Sequence, residues 1–145
     1  MSISYPWMIT FSDITDEVIR KMSDTYLYNH PDPCNNYYNL TASKFISFAN
    51  SFGLDATSLS NLNRSTNPPH YLVLQWLITC LQMLVSQNLV GLNNDPVIDD
   101  KWAFKYKMYR DDLKTLSSKI SYEVIITGNM QQNYTRYSNT FSIMV

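Results

Sequence analysis

The sequence predicts a mainly α protein, a four-helix bundle-like domain over residues 1–128 followed by a C-terminal β-strand or extended docking tail over 129–145. Three observations lead there. Residues 65–94 carry no charge, and at their centre lies an apolar run opened by a proline pair, Asn67-Pro68-Pro69-His70-Tyr71-Leu72-Val73-Leu74-Gln75-Trp76. Trp102, Tyr106, Tyr109, Leu113, Leu116 and Ile120 then recur at spacings of four and three, which puts them on one stripe of a helix. The chain ends in Phe141-Ser142-Ile143-Met144-Val145, an alternating apolar pattern with no charge after Arg136, as a strand requires.

Taken in order, Ser12 or Asp13 can cap a first helix running to about Tyr28, with Ile14, Val18, Met22 and Tyr26 at fourfold spacing and Asp13, Asp16 and Glu17 in its first turn. The prolines of Asn29 to Asn39 cannot continue that helix, so a surface loop follows. Thr41 can cap a second helix carrying Phe45, Ile46, Phe48 and Ala49, and Gly53 stands where a left-handed residue closes it. Leu54 to Thr66 reads as an irregular connector with one short turn. A third helix starts at Pro68 and runs to about Gln87, its only polar stripe being Gln75, Thr79, Gln82 and Ser86, so it should be central. Gly91, Asn93, Asn94 and Pro96 make the next turn. The fourth helix spans Asp99 to Ile120, and Ser121 to Thr127 is strand-like before the turn signal Gly128-Asn129.

At 145 residues the chain suits one core rather than two. Forty-five per cent hydrophobic residues and a net charge of -1 argue against general disorder and against a nucleic-acid-binding charge. Eleven Tyr, six Phe and three Trp exceed what one core of this size readily hides, so some should be interfacial. Two cysteines, Cys34 and Cys80, do not make a disulfide framework, and Cys80 should behave as a small hydrophobe. The N-terminus lacks a basic n-region, and the apolar run Tyr71 to Val85 is interrupted by glutamine and threonine and too short to span a bilayer. A soluble, intracellularly made protein without membrane association is expected.

No constellation spells out chemistry. His30, Asp32 and Cys34 alternate in one loop, but a metal needs three or four converging ligands, so a proline-stiffened turn is the better reading. Scattered Gly53, Gly91 and Gly128 write no phosphate-binding loop, and no cofactor is expected. Asp99-Asp100 and Asp111-Asp112 are helical neighbours pointing about 100° apart, a helix start and a solvated face rather than acid-base pairs. A helical enzyme would need a deep polar pocket near Gln75, Gln82 and His70, and an enzyme is not expected. Lys101, Lys105, Lys107, Arg110, Lys114 and Lys119 spread around both flanks among acids such as Asp111, as on an ordinary solvated helix.

Two features resist a purely structural reading. Phe104 and Met108 sit on the back of the fourth helix, where a neighbouring subunit would cover them. The apolar tail would be poorly solvated alone and should add to a sheet, in this subunit or another.

The order of elements resembles the small head-tail connector proteins (adaptor, or head-completion, proteins) of tailed bacteriophages. The matching pieces are Ile9-Thr10-x-x-Asp13 opening a helix, a second helix, the Pro68-Pro69 start of an apolar central helix, then Trp102-x-x-x-Tyr106-x-x-Tyr109-x-x-x-Leu113-x-x-Leu116 and Val124-Ile125-Ile126-Thr127-Gly128. The correspondence covers about residues 9 to 128 in pattern, not identity, and the Asn29 to Asn39 loop, the connector before Asn67 and the extension past Gly128 depart from it.

The resemblance implies a virion protein at the capsid-tail junction. It would form a homo-oligomeric ring, typically of twelve, joining portal protein to tail proteins, with DNA passing the lumen without sequence-specific contact. Phe104 and Met108 become lateral-contact candidates, and Tyr134, Tyr137, Phe141, Ile143 and Val145 become docking candidates for portal or tail. The alternative is a small helical binding or regulatory module that grips a single partner and stays monomeric or dimeric.

Overall fold

The computed structural model describes residues 5–22, 36–90 and 96–127, which are mainly helical. Five α-helices occur among them: α1 (Glu17–Arg20), α2 (Tyr37–Asn50), α3 (Tyr71–Leu89), α4 (Pro96–Lys119) and α5 (Tyr122–Thr127), with 3-10 turns at Phe11–Asp13 and Ser58–Asn61. The described residues contain no strand, and an isolated antiparallel bridge joins Asn63 to Asn67.

Helix α3 is the axis of the domain, as its uncharged sequence predicts. Val73, Leu77, Cys80, Leu81 and Val85 have no exposed surface. The helix lies against α2 on one side and along α4 on another, and it also touches α5. By length and composition alone its 19 residues could cross a membrane, because the helix continues past Val85 to Leu89. Half of it is buried here against its neighbours. An aromatic chain joins the N-terminal lead to this axis: Tyr5 stacks on Trp7 at 4.9 Å between ring centroids, Trp7 meets Phe45 at 5.5 Å, and Phe45 meets Trp76 edge-on at 5.4 Å. Phe48 stacks on the same indole at 5.3 Å. Such offset and edge contacts between buried rings each add roughly 0.5–1.5 kcal/mol beyond their area.

Several local starts differ from expectation. The first helix does not begin at Ser12 or Asp13, since Ile14 is extended and buried. Asp16 caps α1 instead, its Oδ1 accepting from the backbone N–H groups of Val18 (3.0 Å) and Ile19 (3.2 Å). Asp13 closes the Phe11–Asp13 turn, accepting Thr10 N–H at 2.7 Å, and is held across the chain by Arg64, which donates Nη1 to Oδ2 at 2.7 Å and Nη2 to Oδ1 at 3.0 Å. Helix α2 starts earlier than Thr41, at Tyr37, with Asn36 Oδ1 accepting from Asn39 N–H at 3.1 Å. Helix α3 starts after Pro69, with His70 as its cap, and Pro96 opens α4 at the position where a missing N–H costs nothing.

The α2 terminus follows its sequence signal. Gly53 has φ +83°, and Gly53 N–H donates to Asn50 O (2.9 Å) while Leu54 N–H reaches back to Ala49 O (3.1 Å). This is the paired closure that wants a glycine, with buried Leu54 as its apolar contact. The connector holds the 3-10 turn Ser58–Asn61, pinned by fully buried Leu59, and a second turn closed by Asn67 N–H to Asn63 O at 2.8 Å.

The strand-like reading of Ser121 to Thr127 is overturned, because Tyr122–Thr127 is the helix α5. The β-branched run favours a strand locally, yet burial follows a helix. Ile125 is fully buried, beside α3 and the Ser58–Asn61 turn, while Ile126 and Tyr122 stay exposed. Residues 129–145, with the expected tail strand, lie outside the described residues.

Ile125→Ala should therefore cost about 2–5 kcal/mol, the range for emptying a packed core site. Ile126→Ala should cost about 1 kcal/mol or less, as at a surface position. Urea unfolding of the two variants gives both values, and the reverse order would mean that the segment packs as an alternating strand.

Candidate functional site

Among the described residues the outer side of α4 exposes Val97, Phe104 and Met108, and three anchors on the inner side fix its direction. Trp102 and Tyr109 are buried, and Leu113 and Leu116 pack partly against the same core, so the predicted stripe faces inward. Trp76 on α3 donates Nε1–H to Ser117 Oγ at 2.9 Å, tying the two helices near the far end of α4. The third anchor is polar. Asp16 Oδ2 accepts a short hydrogen bond from the Tyr109 hydroxyl, and Lys105 Nζ lies 3.0 Å from Oδ2 and 3.2 Å from Oδ1. Lys105 also stands over the Trp102 ring at 4.8 Å.

Behind that carboxylate, Gln82 of α3 completes the network. Its Oε1 accepts from Asp16 N–H (2.9 Å), Thr15 N–H (3.0 Å) and Thr15 Oγ1 (3.1 Å). Burial by itself raises the Asp16 pKa, but the hydrogen bonds from Tyr109 and Lys105 outweigh it and hold the carboxyl below its ordinary value. Burial, and then the bond to Asp16, push the Tyr109 phenol above its usual range. The stripe Gln75, Thr79, Gln82 and Ser86 is thus no solvated face: Thr79, Gln82 and Ser86 are buried, and Gln75 alone is exposed.

With the inner side committed, Phe104 (68% exposed) and Met108 (40%) point away from the domain, as their positions behind the inner stripe predict. Val97, at 76% exposed, continues the same side seven residues before Phe104. Tyr106 is half-buried, with the Arg110 guanidinium 5.8 Å from its ring, and Asp111 lies 3.5 Å from Arg110 Nε.

The residues considered for catalysis do not converge. Gln75 lines a shallow cleft of about 230 Å³ with Thr79, Asp112, Thr115 and Leu116, whereas Gln82 is fully engaged inside. His70 is buried at the head of α3, where Nδ1 accepts from Leu72 N–H at 3.0 Å. A second cleft of about 330 Å³ is lined by Tyr37, Leu40, Leu84, Gln87 and Asn88. No cluster of three potential metal ligands occurs among the described residues. His30, Asp32 and Cys34, and the docking candidates Tyr134, Tyr137, Phe141, Ile143 and Val145, lie outside those residues. Cys80 behaves as the expected small hydrophobe, its thiol pushed up to about 12 by burial.

Sequence reasoning missed the role of Asp16, Gln82 and Arg64. Gln82 carried a signal, a polar residue between Leu81 and Met83 in an apolar helix, whereas Asp16 and Arg64 stand among polar neighbours and carried none. No family model, curated protein or solved structure matches this chain.

The ion pair gives a first test. Asp16→Asn and Lys105→Met, singly and together, should show a coupling of about 0.5–3 kcal/mol in a double-mutant cycle. Because the folded Asp16 pKa is depressed, its contribution is present above the unfolded value near 3.9 and is lost as pH falls through the folded one. The coupling should therefore disappear in acid, and a pH-independent coupling would exclude the carboxylate.

His70 gives a second. Burial lowers its pKa, and the cap needs a neutral imidazole, so the folded state binds the proton less well than the unfolded chain. Stability should be full above about 6.5 and decline as pH falls from there toward the lower folded pKa. His70→Asn retains a capping acceptor and should flatten that decline in unfolding titrations.

Proposed function

We propose that the protein is a structural subunit completing its surface against other subunits, in the role of a phage head-tail connector that forms a ring between portal and tail. The observation that carries this reading is Phe104 and Met108 exposed together on the back of a helix whose front is held by Trp102, Lys105, Tyr109 and Ser117. A large aromatic and a thioether side by side on a rigid rod are the composition of an interface core. The order of helices leading to that rod is what resembles the connector proteins.

In this reading the work is geometric. The bundle sets the direction of α4, its outer face repeats around a closed ring with portal as template, and residues 129–145 dock as an extended strand through Tyr134, Tyr137, Phe141, Ile143 and Val145. DNA passes the lumen without being read. No cofactor has a part in it.

Joining Phe104→Asp with Met108→Asp should leave unfolding free energy nearly unchanged, since both positions are exposed. Ring formation on purified portal, followed by mass measurement and electron microscopy, should be lost. Ending the chain after Gly128 should abolish portal docking while the helical circular dichroism remains. Unaltered docking by the shortened chain refutes the tail assignment, and a one-to-one complex in place of a ring favours the single-partner module.

A further inference from the structure

The outer side of α4 is ordered more closely than a patch. Lys101, Phe104, Met108 and Asp111 follow one another at spacings of three, four and three, extended at either end by Val97 and Thr115 at spacings of four. All six are exposed. This is a heptad seam, on the opposite side of the helix from the buried stripe. Its chemistry reads as its own complement when reversed: base, aromatic, thioether, acid.

We infer that a second copy of this chain packs antiparallel along this seam, about a two-fold axis at the level of Tyr106. In that register Phe104 of each copy meets Met108 of the other, and Lys101 of each lies over Asp111 of the other, with Asp112 alongside. Val97 and Thr115 face each other at the ends. The two aromatic-thioether contacts form a four-residue centre, and the charge pairs close it above and below. A parallel alignment sets Lys101 on Lys101 and Asp111 on Asp111, so charge complementarity selects the antiparallel one.

The groups needed are accessible. Asp111 is 67% exposed in its side chain; its Oδ1 lies 3.5 Å from Arg110 Nε of the same helix, a buried atom outside hydrogen-bond reach, so the carboxylate keeps its outward face open. Lys105, one turn after Lys101, is held by Asp16 and does not compete for the partner's Asp111, while Lys107 and Lys114, one turn to either side of Asp111, are exposed and add to the basic side of the pairing. From Val97 to Thr115 the seam runs about 27 Å at the rise of an α-helix. One helix pair of that length is a small interface, so the dimer is weak and exchanges readily.

This inference does not rest on the connector reading. A lateral ring contact at Phe104 and Met108 would use the same seam, so ring and dimer exclude each other. The dimer is the form of the free chain.

Sedimentation equilibrium of the full chain at low salt, with Lys101→Asp, Asp111→Lys and their combination, tests it. The unaltered chain should show a monomer-dimer equilibrium. Each single charge reversal should weaken it about tenfold, and the combination, in which Asp at 101 again faces Lys at 111, should restore it. Circular dichroism should stay helical throughout, because both positions are exposed. A full-length chain that stays monomeric at high concentration, its seam covered by its own residues 128–145, overturns the inference. Open-ended assembly in place of a dimer does so too, as do reversals without effect or a combination no better than either single change.

Discussion

The Asp16 carboxylate is the point through which the described parts of the chain are joined. It caps α1, receives the Tyr109 hydroxyl and the Lys105 ammonium from α4, and its own backbone N–H is held by Gln82 of α3. A charge this far from water is tolerated because every oxygen is occupied, so removing one partner leaves a buried group with nothing to replace it. The geometry is also directional. With Tyr109 and Lys105 one turn apart and both committed to one carboxylate, α4 cannot roll about its axis without breaking either bond. Packing of Trp102 and Leu113 alone would leave that rotation softer, since apolar contacts are not directional.

A second ion pair does the same for the lead segment. Arg64 grips Asp13 with both terminal guanidinium nitrogens, and its backbone N–H donates to Pro6 O at 2.8 Å, so the connector after α2 holds the residues around Trp7 against the core. With only single-turn hydrogen bonds of its own, that lead is fixed by such side-chain ties and by Trp7, stacked on Tyr5 and tilted against Phe45. The described helical core is thus framed by three long helices and completed by short segments packed against them.

What could be read from the sequence was whatever depends on period. The uncharged stretch gave α3 as the axis, the alternation of fours and threes from Trp102 to Ile120 gave the inward side of α4, and Gly53 marked the end of α2. What could not be read was set by partners distant in the chain. Asp13 looks like the start of the first helix but closes a 3-10 turn and pairs with Arg64, and Gln82 looks like one member of a polar stripe until Thr15 and Asp16 are seen to donate to it. Val124, Ile125 and Ile126 have the composition of a strand, and only the space beside α3 and Leu59 decides that a single isoleucine of the three is buried. The exposure of Phe104 and Met108 followed from helical geometry, whereas the complementarity of Lys101 and Asp111 needed the helix to be straight and unbroken across both.

Cys80 lies at the centre of α3, with no exposed surface and a thiol raised to about 12 by burial. A thiolate forms there only when water reaches the middle of the bundle, and no local fraying of a helix end brings water that far. The residue is in effect an internal clock for complete opening: the pace at which a small alkylating reagent consumes it reports the rarest excursions of the molecule, in the absence of any denaturant.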